Sequence, residues 1–134
     1  MAKVSGLNFT TISVDLADGT TATAIKNDVT NLQWSTPRGV QDITGVDKSA
    51  YERLLLLADF SVTLNGVFNA ALSHTVFSTI GSGTTNRTTT LAVAGATLAN
   101  ETLYTDYQIT RSAGGELTWS APGVLSDGTS PAWT

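Results

Sequence analysis

The chain has 134 residues, no cysteine, and 7 basic against 11 acidic side chains, a net charge of −4. That length predicts one domain over 1–134, able to bury roughly two-thirds of its unfolded surface. The missing thiols exclude disulfides and thiolate metal sites, and the acidic balance argues against stable nucleic-acid binding, which needs a basic face to displace counterions from phosphates. Charged residues are only 13 % of the chain, while threonine and serine supply about a quarter. Such a neutral hydroxyl surface suits β-strands, and it suits contacts between copies, where desolvating a charge costs several kcal/mol.

Residues 11–16 set Ile12, Val14 and Leu16 against Thr11, Ser13 and Asp15, the period of a half-buried strand. Asp18-Gly19 is a hairpin turn and 20–26 the return strand. Asn27-Asp28 turns the chain into Val29–Ser35; Pro37-Arg38-Gly39 breaks that run, and 40–44 resumes it. A helix is expected near 48–58. Ser49 and Glu52 form a capping box, Asp47 is an alternative cap, and Tyr51, Leu54, Leu55 and Ala58 fall at i, i+3, i+4 and i+7. Leu56 and Leu57 widen that stripe past half the circumference, so both sides pack within the subunit or one side packs on a neighbour. On this reading a charge at Leu54 prevents soluble folding.

From Phe60 the period becomes 2, with Phe60, Val62 and Leu64 opposite Ser61, Thr63 and Asn65, ending in a bulge or break at Gly66. A short second helix over 70–80 competes with a strand reading at Val76-Phe77. Residues 81–86 form a loop and 87–94 a strand. Over 103–110, Leu103, Thr105, Tyr107 and Ile109 alternate with Tyr104, Asp106, Gln108 and Thr110. Gly114-Gly115 turns the chain into a last strand over 117–121, and 122–134 is an extended arm whose Trp133 docks on its own core or on a neighbour. The sum is a mainly β fold of seven or eight strands, a sandwich or barrel with one flanking helix.

Catalytic chemistry is hard to assemble from these residues. His74 is the sole histidine; its neighbour Ser73 points the other way, and no GxSxG surrounds either. Asp15, Asp18, Asp28 and Asp42 could pair for glycosidase or calcium chemistry, but Asp18 and Asp28 sit in turn dipeptides that favour Asp for backbone reasons. Trp34, Trp119 and Trp133 could form a sugar-stacking platform, although such residues more often anchor cores and interfaces. No apolar run approaches the roughly 20 residues of a membrane span, and the first residues do not read as a signal peptide. The expectation is a non-enzymatic chain with no cofactor, no metal and no membrane partner, made in the cytosol.

One ordered set of segments carries a family likeness: Asp42-Ile43-Thr44, Glu52-Arg53-Leu54-Leu55, Ala58-Asp59-Phe60-Ser61-Val62 and Gly66-Val67-Phe68. Ser73-His74 with Val76-Phe77, and the ending Gly123 to Gly128, extend it. The set resembles the tail tube (major tail) proteins of long-tailed, siphovirus-type bacteriophages. The resemblance implies two packed β-sheets with a flanking helix, six copies in a ring, and rings stacked into a tube that conducts DNA from capsid to host. It also implies a virion location after assembly in host cytoplasm, with tape-measure, tail terminator and distal tail proteins as partners. About 24 shared strands at roughly 4.8 Å spacing would enclose a circle near 37 Å across, wider once tilted. Its lining must be polar and not basic, so that DNA passes without specific binding. Candidate lining rows are Thr11/Ser13/Asp15, Ser61/Thr63/Asn65 and Tyr104/Asp106/Gln108, and Pro37-Arg38-Gly39 is the candidate ring-to-ring loop. The same rows would equally suit the wet face of an ordinary sandwich. The alternatives are a carbohydrate- or capsid-binding β-sandwich, or a tail completion or capsid decoration protein.

Overall fold

The computed structural model describes residues 3–134. The first alternating segment folds as its period predicts. β1 (Phe9–Asp15) buries Ile12 and Val14, and β2 (Ala22–Ala24) returns beside it with Thr23 opposite Val14. Gly19 turns the chain at φ +71°, a conformation in which a side chain is strained. Asp18 ties the turn by accepting from the Thr20 and Thr21 backbone N–H groups, each at 2.9 Å, and from the Thr21 hydroxyl at 2.6 Å. Those bonds, the Thr21 hydroxyl foremost, favour the carboxylate and lower its pKa from 3.8 to about 2.

Next come β3 (Val29–Ser35), β4 (Arg38–Asp42), β5 (Arg53–Ala58), β6 (Ser61–Val67), α1 (Ser73–Phe77), β7 (Arg87–Val93), β8 (Ala96–Tyr104), β9 (Gln108–Arg111) and β10 (Leu117–Leu125). Eight strands make one antiparallel sheet in the order β2-β1-β7-β8-β10-β6-β3, with β9 also on β10. Strand β10 is the corner. One edge runs along β6 from Thr118 to Val124, while the other takes β9 over Leu117 to Ser120 and then β8 over Gly123 to Leu125.

The sheet therefore has two limbs, β2-β1-β7-β8 and β9-β10-β6-β3, joined at that short β8–β10 pairing. Both feed one core: Ile12, Val14, Leu91, Leu98 and Tyr104 from the first, Val62, Leu64, Trp119 and Ala121 from the second. Helix α1 adds Val76 and Phe77, whose ring lies 5.1 Å from Tyr104 and 5.0 Å from Trp119. The two packed layers expected from sequence are thus two limbs of one sheet, accompanied by a separate two-stranded sheet of β4 and β5.

Three expectations need correction. The helix near 48–58 is absent: residues 53–58 are β5, paired with β4 so that Leu55 faces Val40 and Leu54 faces Gln41. Four consecutive leucines satisfy a period of 3.6 as readily as one of 2, so the stripe held no information about the backbone; the partner strand decides it. Glu52 belongs to the loop, where its N–H donates to the Thr44 hydroxyl (2.8 Å) and its carbonyl accepts from Ile43 N–H (3.0 Å). The one α-helix among the described residues lies instead at Ser73–Phe77, inside the second expected segment, with its Ser73 N–H donating to buried Asp28 (3.1 Å).

Second, the alternation across 103–110 spans two strands. β8 ends at Tyr104 and β9 begins at Gln108, because the chain turns there to reach the other half of β10. Third, β6 runs unbroken through Gly66; the irregularity sits opposite it, between Val29 and Asn31 of β3. A further hairpin, which the sequence does not announce, lies at Ala94-Gly95, where both residues adopt positive φ (51° and 87°) and join β7 to β8.

Candidate assembly surfaces

β4 and β5 extend the β3 and β6 strands as one long hairpin, interrupted at Thr36-Pro37 and Asp59-Phe60. At the joint, Asp59 N–H donates to the Pro37 carbonyl (2.9 Å), and Arg38 Nε donates to the Leu56 carbonyl (3.0 Å). At the far end Asp42 accepts from the Thr44 N–H (2.9 Å) and hydroxyl (2.6 Å), which lowers its pKa, the hydroxyl contributing most. The Asp42-Ile43-Thr44 segment thus works as a loop clamp.

Beyond the joint the ribbon pairs with no other strand. Leu54, Leu55, Leu56 and Leu57 are all exposed, Leu57 to 91 %, and Val40, Ile43, Val46 and Tyr51 are exposed with them. Burying a leucine yields about 1.5–3 kcal/mol, and a lone two-stranded ribbon is marginal in water. An apolar surface this concentrated marks an interaction site. The residues expected as a helix core (Tyr51, Leu54, Leu55 and Ala58) and those expected as a contact loop (Pro37, Arg38 and Gly39) are therefore brought together on one ribbon.

A second surface has the opposite character. The outer face of the β3-β6-β10-β9 limb carries Asn31, Gln33 and Ser35, then Ser61, Thr63 and Asn65, then Thr118 and Ser120, then Gln108 and Thr110. Their registers place Gln33 beside Thr63, Asn65 beside Ser120, and Ser120 beside Gln108. Pro122, Val124 and Val67 complete it, and no residue of the face is charged. Ser35 and Ser61 share a hydroxyl–hydroxyl hydrogen bond of 3.1 Å across two of its strands.

No known protein family and no curated protein sequence matches this chain. Ten chains of solved structures do. A chain in the virion of a native gene transfer agent (GTA) particle superposes with a TM-score of 0.79 at 15 % identity, covering 98 % of this chain and 99 % of that one. A chain in the tail of an empty GTA particle, solved by helical refinement with C6 symmetry, superposes at 0.74 and 16 % identity, with the same coverage. The fold is that of the GTA chains. At these identities the likeness is one of fold, carried across the full length of both chains.

The remaining candidates fall into place around that fold. Of the first lining row, Ser13 and Asp15 are buried to within 8 % and 5 %, and Asp15 accepts from Thr88 N–H (3.2 Å). Of the third row, Tyr104 points into the core, where its hydroxyl meets that of Thr89 (2.6 Å) and burial pushes its pKa up; Asp106 lies in the turn and only Gln108 reaches the uncharged face. The middle row, Ser61, Thr63 and Asn65, lies wholly on that face. The three indoles do not converge: Trp119 is buried and donates to the Val67 carbonyl (2.9 Å), while Trp34 and Trp133 meet each other at 6.2 Å. Trp133 docks in cis, bridging to Leu98 of β8. His74 packs against Phe68, ring centroids 4.9 Å apart and tilted by 47°, with Nδ1 3.3 Å from the Tyr107 hydroxyl. Among the described residues no three His, Cys, Asp or Glu side chains gather as a metal site.

Proposed function

We propose that this chain is a structural subunit of a phage-type tail, six copies forming a ring and the rings stacking into a tube that conducts DNA. The exposed leucine ribbon carries the reading, because a monomer gains nothing from four adjacent leucines held in water, whereas a repeating assembly buries them in every copy. The full-length likeness to a chain of a C6-symmetric tail supports six as the ring number.

In this reading the ribbon, including Pro37, Arg38 and Gly39, reaches the next ring, and the uncharged face around Ser61, Thr63 and Asn65 lines the bore. Amides and hydroxyls keep that wall wet without counterion release, so a duplex slides past rather than binding. The subunit needs no active site, cofactor or membrane. Its partners are other copies of itself, with tape-measure, terminator and distal tail proteins at the tube's ends, and its place is the tail of a virion assembled in host cytoplasm.

Negative-stain microscopy of the purified protein tests this. Stacked rings with an open channel are expected. Dispersed monomers at high concentration would overturn the tube.

A further inference from the structure

The arm after β10 touches the edge of β8 at two places and stands away from it between them. At the first, Ser126 N–H donates to the Glu101 carbonyl (3.1 Å). At the second, Thr134 and Thr97 exchange both backbone hydrogen bonds (2.9 Å each) beside the Leu98–Trp133 bridge. Alternate residues of an antiparallel strand turn their backbone groups to the same edge. Thr97 and Glu101 face the arm, so Ala99 between them faces it too. Among the described residues, no hydrogen bond from the arm reaches the Ala99 N–H or C=O.

A pocket of about 320 Å³ occupies this gap, with Asp127, Thr129 and Ser130 on the arm side and Ala99, Asn100 and Glu101 on the β8 side. No lysine, arginine or histidine lines it, so its two carboxylates have no counter-charge there. Glu101 accepts from the Thr88 hydroxyl through Oε1, and Asp127 from the Thr129 N–H (3.0 Å) through Oδ1, which leaves each with a second oxygen to offer. Asn100 is a separate sign of a ligand. It is 7 % exposed, and its Nδ2 is buried without a hydrogen-bond partner. A buried amide left unbonded is costly, and one that nothing holds can turn either its nitrogen or its oxygen inward.

Carboxylate, amide, hydroxyl and main-chain carbonyl oxygens are the donor set of calcium, which takes about six to eight oxygens in a flexible shell and lets water complete it. Metals that prefer thiolate or imidazole find no such ligand among these residues. A lysine or arginine from a partner would offer donors alone, leaving the Ala99 N–H unanswered. We propose that this pocket binds one calcium ion, which pins the C-terminal arm to β8. Two carboxylates make a weak site, on the scale of about 10⁻⁴–10⁻³ M. Ser130 also borders the groove beside Arg38, Leu56 and Ala58, so a pinned arm steadies the foot of the leucine ribbon.

The test titrates CaCl₂ into the full chain after EDTA treatment, at constant ionic strength, with MgCl₂ in parallel. Calorimetry is expected to show one site per chain, with a raised Tm and slower proteolysis of the arm. Magnesium should bind more weakly, because its rigid octahedral shell gives up water reluctantly. Asp127→Asn and Glu101→Gln keep an acceptor for Thr129 and Thr88; each should retain the wild-type circular dichroism spectrum and weaken calcium by about tenfold or more. Asp127 lies on the exposed arm, so its variant tests the site even if the Glu101 variant misfolds. Asp106→Asn, in the β8–β9 turn, should bind as wild type. Equal binding by all these chains would reduce the effect to diffuse attraction by a net charge of −4 and overturn the proposal. Absence of both heat and Tm shift in the wild type would overturn it too. The pocket closes within one copy, so either failure leaves the tube reading where it stands.

Discussion

Gly66 sits where backbone must pass under an aromatic ring. A Cβ there would lie 2.1 Å from the Asp28 carbonyl oxygen and 2.8 Å from the Trp119 ring. Gly66→Ala is expected to destabilise the subunit by about 2 kcal/mol or more, the scale of an overpacked core, read as a lowered urea midpoint. Arg87 is buried to within 4 %, and donates through Nη1 to the Val76 carbonyl and through Nη2 to the Thr79 hydroxyl (2.9 Å), tying the end of α1 to β7. Arg87→Ala should cost about 2–3 kcal/mol, because two charge-assisted bonds are lost and the Val76 carbonyl keeps only the long Thr79 hydroxyl bond (3.3 Å). Asp18 acts in the opposite pH direction from a paired histidine. Its folded pKa is depressed, so its contribution is present above about 4 and is lost as pH falls through about 2. Asp18→Asn should leave neutral stability lower than wild type and flatten the acid limb of the stability curve between those values.

At the scale of elements, the ribbon decides what the leucines mean. Leu54→Asp, which would break a helix core, is instead expected to leave a soluble, folded chain with a wild-type circular dichroism spectrum, since Leu54 is 51 % exposed. On the proposed tube reading its measurable loss should be in sedimentation: wild type is expected to pellet as tubes, and Leu54→Asp or Leu57→Asp chains are expected to stay small at the same concentration. Legibility followed the same line. β3 and β6 are readable because apolar residues fall on the more buried face and polar ones on the wetter face. β1 alternates too, but Ser13 and Asp15 are buried opposite Ile12 and Val14, so its polar row is not a wet face. The ribbon is not readable, because both its faces are apolar and neither is covered in the subunit. Periodicity reports burial only where burial occurs, and within the subunit these leucines stay exposed. The Ala94-Gly95 turn was hidden for another reason: it uses alanine at φ 51°, where asparagine or glycine would have signalled a primed turn.

For the whole molecule, the order of strands in the sheet was beyond sequence reasoning. Nothing local announces that β10 divides one edge between β8 and β9, and this corner sends the Tyr104 and Gln108 ends of one alternating run to different places. The uncharged wall was partly legible. Ser61, Thr63 and Asn65 were identified on one strand, while Gln33 and Ser120 beside them become neighbours only through the register. Thr63→Lys places a cation on that wall in every copy. Tubes built from it should retain short duplex DNA at low salt and release it as salt rises, where wild-type tubes retain none; equal retention by both would remove the wall from the bore.

Wall and ribbon are cut from the same two lengths of backbone, meeting at Thr36-Pro37 and Asp59-Phe60. Proline has no N–H to give a ladder, so regular pairing lapses at this joint, where the Asp59 N–H bond to the Pro37 carbonyl (2.9 Å) is what spans it. In a tube built this way, the joint would be the place to absorb curvature. A tail flexing in solution would pivot its ring-to-ring straps while its bore stayed round, as a hose keeps its calibre when its outer braid shears.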